Sequence, residues 1–340
     1  MILNGVRYIF AADPVSTESL AIMYFVTGML ALACNLFNIY IFYSLHRKQR
    51  KYQIFIAIEV AEVVNCFAYI TTGASRFIML KIGIIFDTIS TAGCFFTRPY
   101  GVLLIVGTQL PAIIVVISSV ERLMAVYRPA SYQRYWDDPF KKRLLLAVAV
   151  VQITSVVLAG MSAFFDPYIN STQHCPAAAT VSSTYAAVHF LFQILSYLVS
   201  FVTLAAVYLT SKKMIISKGG VGYFRVTMLL AGFGVFVMGC PAGVSLGTTW
   251  NLFKASDVVF GIGITVPGLI SVATTISNGI FHREYRRKVY NVIGRRIGCH
   301  LSARDESSVR AKTTAPFLVS QAFHSHNGKM TLPSSQIGMT

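Results

Sequence analysis

The chain has 340 residues, 55% of them hydrophobic and only 12% charged, and a formal net charge of +16. So few charges cannot cover the surface of a soluble domain of this length. The basic residues sit in short clusters between long apolar runs and not on one face, which argues against a nucleic-acid-binding surface and for a multi-span membrane protein.

The first segment, 1–19, has no basic n-region and no adequate apolar core, so no cleavable signal peptide is expected. The first apolar run is expected to act as an uncleaved anchor. About 20 apolar residues cross a bilayer core of about 30 Å. On that criterion spans are predicted at 20–45, 53–78, 99–127, 143–165, 185–210, 224–249 and 258–281, seven in all. The reading is an all-α membrane protein, a seven-transmembrane helix bundle over 20–281. Span two carries Glu59 and Glu62, three residues apart and therefore on one helical face. Span three has no charge from Pro99 to Val120 and then ends on Glu121-Arg122. An arginine at a helix end can simply reach for lipid headgroups, but ionisable residues near membrane depth are costly and usually paired or functional. Span six holds Pro241 within VFVMGCPAG, which removes one backbone hydrogen bond and permits a kink, with Gly239 and Gly243 beside it.

Orientation follows from the loops. Arg47, Lys48, Arg50 and Lys51 lie in the first connection. The third holds Arg128, Arg134, Lys141, Lys142 and Arg143, the fifth Lys212, Lys213 and Lys218. The other side has only Arg7, Arg76, Lys81, Arg98 and Lys254. The N-terminus is expected outside and the C-terminus in the cytoplasm, as in a multi-pass plasma-membrane protein. Asn170-Ser171-Thr172 is then an extracellular glycosylation acceptor. Cys94 and Cys175 fall in outer loops, where an oxidising exterior would let them pair. Cys34, Cys66 and Cys240 fall inside spans and read as packing residues.

Beyond the last span, segment 282–298 places Tyr285, Val289, Val292, Ile293 and Ile297 on one face and basic residues on the others. This predicts an amphipathic eighth helix on the lipids of the inner leaflet. Cys299 follows, positioned for palmitoylation. Segment 299–340 is rich in Ser and Thr, including Ser302, Ser307 and Thr313, and is expected to be disordered. Phosphate there would give an arrestin-like partner charge to bind.

The stretch from Glu121 to Tyr132, E-R-L-x-A-V-x-x-P-x-x-Y, resembles the Asp/Glu-Arg-Tyr segment of rhodopsin-like G-protein-coupled receptors, with Leu123 in place of the tyrosine. The resemblance implies a heterotrimeric G protein as cytoplasmic partner. It implies a switch in which Glu121 holds Arg122 at rest and releases it into the G-protein groove, with Pro129 and Tyr132 in the second intracellular loop. Asn35 resembles the family's asparagine of span one. Glu62 lies close to its sodium-binding aspartate, where a buried acid would be protonated or paired with Asn35 or water. The family's Asn-Pro-x-x-Tyr is absent, with Thr274 and Asn278 in the corresponding places. Gly239 stands where span six has its tryptophan, and no acid at the inner end of span six can bridge to Arg122. These departures, with the HREYRRKV ending, are similar to nematode serpentine chemoreceptors of the Srsx type, which implies a chemosensory role, a sensory cilium being one site for it.

The ligand is expected between spans three, five, six and seven, with Thr108, Gln109, His189, Gln193 and Trp250 as polar contacts. Leu104 occupies the place of the acid used by amine receptors, so an amine held by that ion pair is not expected. A retinal Schiff base is excluded, since no lysine falls between Lys254 and Lys288. A transporter or channel using Glu59 and Glu62 is the alternative. No metal cluster, cofactor or catalytic constellation is expected, and so no enzymatic chemistry.

Overall fold

The chain is described here by a computed structural model covering residues 2–3, 6–7, 13–47, 52–214, 220–250, 252 and 257–297. Helix α1 runs Pro14–His46. It starts well before the predicted 20 because Asp13 caps it. The Asp13 carboxylate accepts from Val15 N at 3.4 Å and Ser16 N at 3.2 Å, and Pro14 fills the first helical position, where no N–H is needed. The hydrogen bonds from Ser16 hold the Asp13 carboxyl below the usual carboxylate range.

Helix α2 spans Gln53–Ile82 and stops at Gly83, whose φ of 88° is the left-handed C-terminal conformation glycine adopts freely. A short α3, Thr91–Thr97, is capped by Ser90, and α4 follows at Pro99–Tyr127. Proline again opens α5, Pro129–Tyr135. Asp137 caps α6, Asp138–Phe164, by accepting from Phe140 N at 3.0 Å. The remaining helices are α7 (Ser183–Met214), α8 (Gly220–Thr249), α9 (Asp257–Phe281) and α10 (Arg283–Ile297).

Among the described residues five helices are long and apolar enough to cross a membrane: Pro14–His46, Gln53–Ile82, Pro99–Tyr127, Asp138–Phe164 and Ser183–Thr210. Helices α8 and α9 have the length, but their described apolar stretches, Gly234–Thr248 and Gly268–Phe281, are shorter. The chain is therefore a multi-pass helical membrane protein. Its exposed apolar side chains fit that setting: Ile22, Val26, Leu146, Ile153, Leu191 and Val202 all face outward.

Contacts order the helices between two ends. At one, the loop before α7 reaches Thr17, Arg76 and Tyr100. At the other, Tyr127 Oη meets Thr210 at 2.6 Å and Glu121 meets Lys141. Successive long helices α1, α2, α4, α6 and α7 thus alternate in direction. We call these the cap end and the Tyr132 end. Short strands Ile2–Leu3 (β1), Val6–Arg7 (β2), Ile89–Ser90 (β3) and Ile169–Asn170 (β4) pair in the order β1-β2-β4-β3. Only β2–β4 is parallel. Two-residue strands carry no periodicity, so hydropathy patterning cannot announce them.

Glycines let the backbones close. A Cβ on Gly73 of α2 would stand 2.5 Å from Ala21 O and 2.7 Å from Phe25 N of α1, and one on Gly107 of α4 only 2.8 Å from Asn65 Cα. Small residues at such crossings replace the missing hydrophobic drive with close packing.

Candidate functional site

The Tyr132 end carries the charged pair that closes α4. Consecutive helical residues point about 100° apart and do not face each other. Glu121 and Arg122 accordingly diverge. Glu121, 9% exposed, turns to α6, where Lys141, 4% exposed, meets its Oε1 at 2.7 Å. The Tyr132 hydroxyl of α5 donates to the same oxygen at 3.2 Å. Burial and the adjacent carboxylate push the Tyr132 phenol up to about 12, so it stays a donor. The expected resting pair between Glu121 and Arg122 is therefore corrected: the acid belongs to Lys141 and Tyr132. Pro129 opens α5 and brings Tyr132 back under α4.

Arg122 turns the other way. Its guanidinium lies 5.6 Å from the centre of the Phe55 ring of α2 and lines a cavity of about 220 Å³. Walls come from α1, α2, α4, α7, α8 and α9. Glu59 and Glu62 line the same cavity, as their spacing predicts, and so do Asn35, Thr274 and Asn278. Of the alternatives for Glu62, a proton, Asn35 or a water, the pairing with Asn35 is not formed. Glu62 accepts from Asn65 at 3.3 Å, and Asn35 donates to Cys66 Sγ at 3.3 Å.

Glu59 has a different partner, Asn38, one turn along α1 from Asn35. Asn38 Nδ2 donates to Glu59 at 3.1 Å and to Thr275 at 2.9 Å, while its Oδ1 accepts from Tyr285 Oη at 2.6 Å. One buried amide thereby joins α1, α2, α9 and α10. Burial, with Glu59 nearby, raises the Tyr285 phenol well above its usual range. Tyr52 also donates to Glu284, and Phe42, Tyr52, Phe55 and Tyr285 pack ring on ring around the start of α10. Sequence reasoning alone missed Asn38, although its three-residue offset from Asn35 puts it on the same face.

Of the expected ligand contacts, three come together. Gln193 Nε2 donates to Thr108 Oγ1 at 2.7 Å and to His189 Nε2 at 2.7 Å, with Thr108 itself donating back to Leu104 O at 2.8 Å. His189 and Gln193 are buried, so the three groups are one another's partners between α4 and α7. Gln109 stands apart and accepts from Ser155 of α6 at 2.9 Å. Trp250 is 55% exposed at the end of α8. Pro241 lies within α8, where the helix continues past it and Ser245 Oγ donates to its carbonyl at 2.8 Å.

At the cap end Cys94 and Cys175 are bonded, as expected, with Cα atoms 5.5 Å apart. The sequon is corrected. Asn170 is 1% exposed and its Nδ2 donates to Ala179 O at 3.0 Å, so the nitrogen that would carry a glycan is turned into the fold. Arg76, near the predicted end of span two and counted among the charges of the outer side, is 5% exposed. Its Nε and Nη2 donate to His174 O at 3.0 and 2.7 Å, and its guanidinium sits 5.3 Å from the Tyr24 ring. Burial, then Arg76, pushes the His174 imidazole down to about 3. Cys299 and segment 299–340 lie outside the described residues.

Among the described residues no three His, Cys, Asp or Glu side chains converge as metal ligands. Set beside known proteins, the chain matches no family model and no curated protein. The site can offer guanidinium donors and the carboxyl groups of Glu59 and Glu62 to whatever enters the cavity.

Proposed function

We propose that this chain is a seven-helix receptor of the rhodopsin-like kind, of chemosensory type, with its N-terminus outside the cell. It transmits the binding of an extracellular small molecule or peptide to a cytoplasmic heterotrimeric G protein. The observation that carries the reading is the placement of Arg122. Its guanidinium lines a cavity walled by the α4, α7, α8 and α9 helices at the end of the bundle where the basic loops emerge. Support also comes from the Cys94–Cys175 bond at the opposite end and from the motif running from Glu121 to Tyr132. In this reading α8 and α9 are the sixth and seventh spans, and α10 rests on the inner leaflet.

An agonist acts by binding the open form better than the closed one. The test is nucleotide exchange on a heterotrimeric G protein in membranes bearing the full chain, screened with a small-molecule odorant library. Arg122→Ala should abolish the ligand-dependent increase. Equal exchange in wild type and variant would sink the reading.

A second reading has its own observation. Glu59 and Glu62 line the cavity together, which is the arrangement an ion or proton path needs. Uptake or current in vesicles of purified protein, abolished by Glu62→Gln, would favour a transporter or channel instead.

A further inference from the structure

The corner where α4, α5 and α6 meet contains a device that the Glu121-Arg122 motif does not announce. We infer that Lys141 is the counter-ion of Glu121, and that Glu121, Lys141 and Tyr132 form a latch fixing the Pro129–Tyr135 helix to the bundle. Lys141 acts in it as a positioning residue. Arg122 is outside this latch.

The argument starts from burial. A carboxylate 9% exposed and an ammonium 4% exposed, 2.7 Å apart, have both left water. Removing either one strands the other as a buried charge, and that is far more damaging than removing both. The Tyr132 hydroxyl adds a hydrogen bond to the same oxygen. It thereby ties α5, a helix of 7 residues with no buried side chain, to the pair. From Tyr132 the contact continues ring to ring: Trp136 stacks at 6.3 Å and Phe140 follows at 5.2 Å, on the first turn of α6. Asp137 between them caps α6 at Phe140 N. The loop is thus closed from α4 through α5 back to α6. Arg122 is not drawn into it, since its side chain leaves α4 on the face of Ser119 and Val115 toward Phe55. Among the described residues no carboxylate is within ion-pair distance of its guanidinium. Substitutions at Glu121 therefore act by loosening α5, and they leave the restraint on Arg122 as it was. This inference rests on geometry and stands whether or not the chain is a receptor.

The test uses the full chain purified in lipid nanodiscs. The chain has only 2 tryptophans, so a Trp250→Phe background leaves Trp136 as its one tryptophan, and excitation selective for indole over tyrosine makes it a direct reporter of the corner. Glu121→Gln and Lys141→Met alone should each lower the thermal midpoint by roughly 5–10 °C and shift Trp136 emission to the red. The double variant should return most of both changes. Arg122→Gln should leave the emission in place, and its effect should add to that of Glu121→Gln. Additive losses for Glu121→Gln with Lys141→Met, or coupling of Glu121 to Arg122 instead, overturn the latch. If Lys141→Met does not accumulate, Tyr132→Phe decides, because it removes one hydroxyl and no charge. A red shift there supports the latch, and unchanged emission refutes it.

Discussion

Gly73 offers the sharpest test of the packing that positions the cavity. On helix propensity alone, replacing a helical glycine by alanine stabilises by about 0.5–1 kcal/mol. At Gly73 the new Cβ would lie 2.5 Å from Ala21 O and 2.7 Å from Phe25 N. Both are backbone atoms of α1 and cannot swing aside, so α1 and α2 must part by something near 1 Å, given ordinary C–C separations of about 3.5–4.0 Å. Overpacking of this kind costs about 1–3 kcal/mol, which exceeds the propensity gain. The same shift strains the bonds Asn38–Glu59 and Asn35–Cys66 that cross the α1–α2 interface. Gly279 of α9 is the control, since a methyl group added there would meet nothing within 4 Å. Thermal unfolding of the two purified variants in one detergent should therefore move in opposite directions: Gly73→Ala down by a few degrees, Gly279→Ala level or up. A rise for both would refute the claim that backbone contact, and not propensity, sets the α1–α2 spacing.

Other expectations follow from the cap end. His174 falls to about 3 in the fold against an ordinary 6.5, so its neutral form is the one the fold favours. The corresponding stability is complete above 6.5 and declines as the pH drops towards 3, by about 2 kcal/mol on reaching roughly pH 5. Protection factors for amide exchange across 172–175, with the intrinsic pH dependence of exchange divided out, should fall over that range in wild type and hold nearly constant in His174→Ala. Breaking the Cys94–Cys175 bond, which closes a separation of 81 residues, should cost about 4–5 kcal/mol, seen as a lower midpoint in the double serine variant and no further drop on adding reductant. Glycosidase treatment of protein made in eukaryotic cells should leave its mobility unchanged. Asn170→Ala should nonetheless lower the midpoint, because the bond to Ala179 O is lost.

Much of the architecture is legible in the chain itself. Runs of 20 or more apolar residues announce their helices, and the ends of α2, α4, α8 and α9 fall close to where hydropathy puts them. The start of α1 is readable too, in Asp13-Pro14, once the cap is weighed above the hydropathy. The spacing of Glu59 and Glu62 predicts a shared face, and both do line one cavity. Cys94 and Cys175 pair as expected because both fall in loops between apolar runs on one side.

Partners are another matter. Hydropathy and helical period are local properties, so the sequence by itself settles which segments are helices, which faces are apolar and which residues share a side. Which charge meets which depends on the rotation of one helix against another, and that is set by packing across long sequence separations. Adjacent in the chain, Glu121 and Arg122 are driven apart by the helical turn, and the acid finds Lys141 only because α5 folds back and delivers α6 alongside α4. Asn38 meets Tyr285 across 247 positions, and Arg76, near the predicted end of span two, holds a carbonyl 98 positions away. Asn170 reads as a surface sequon until the cap folds over it. Burial of a polar group forces it to find a partner, and only the tertiary structure says which one is within reach.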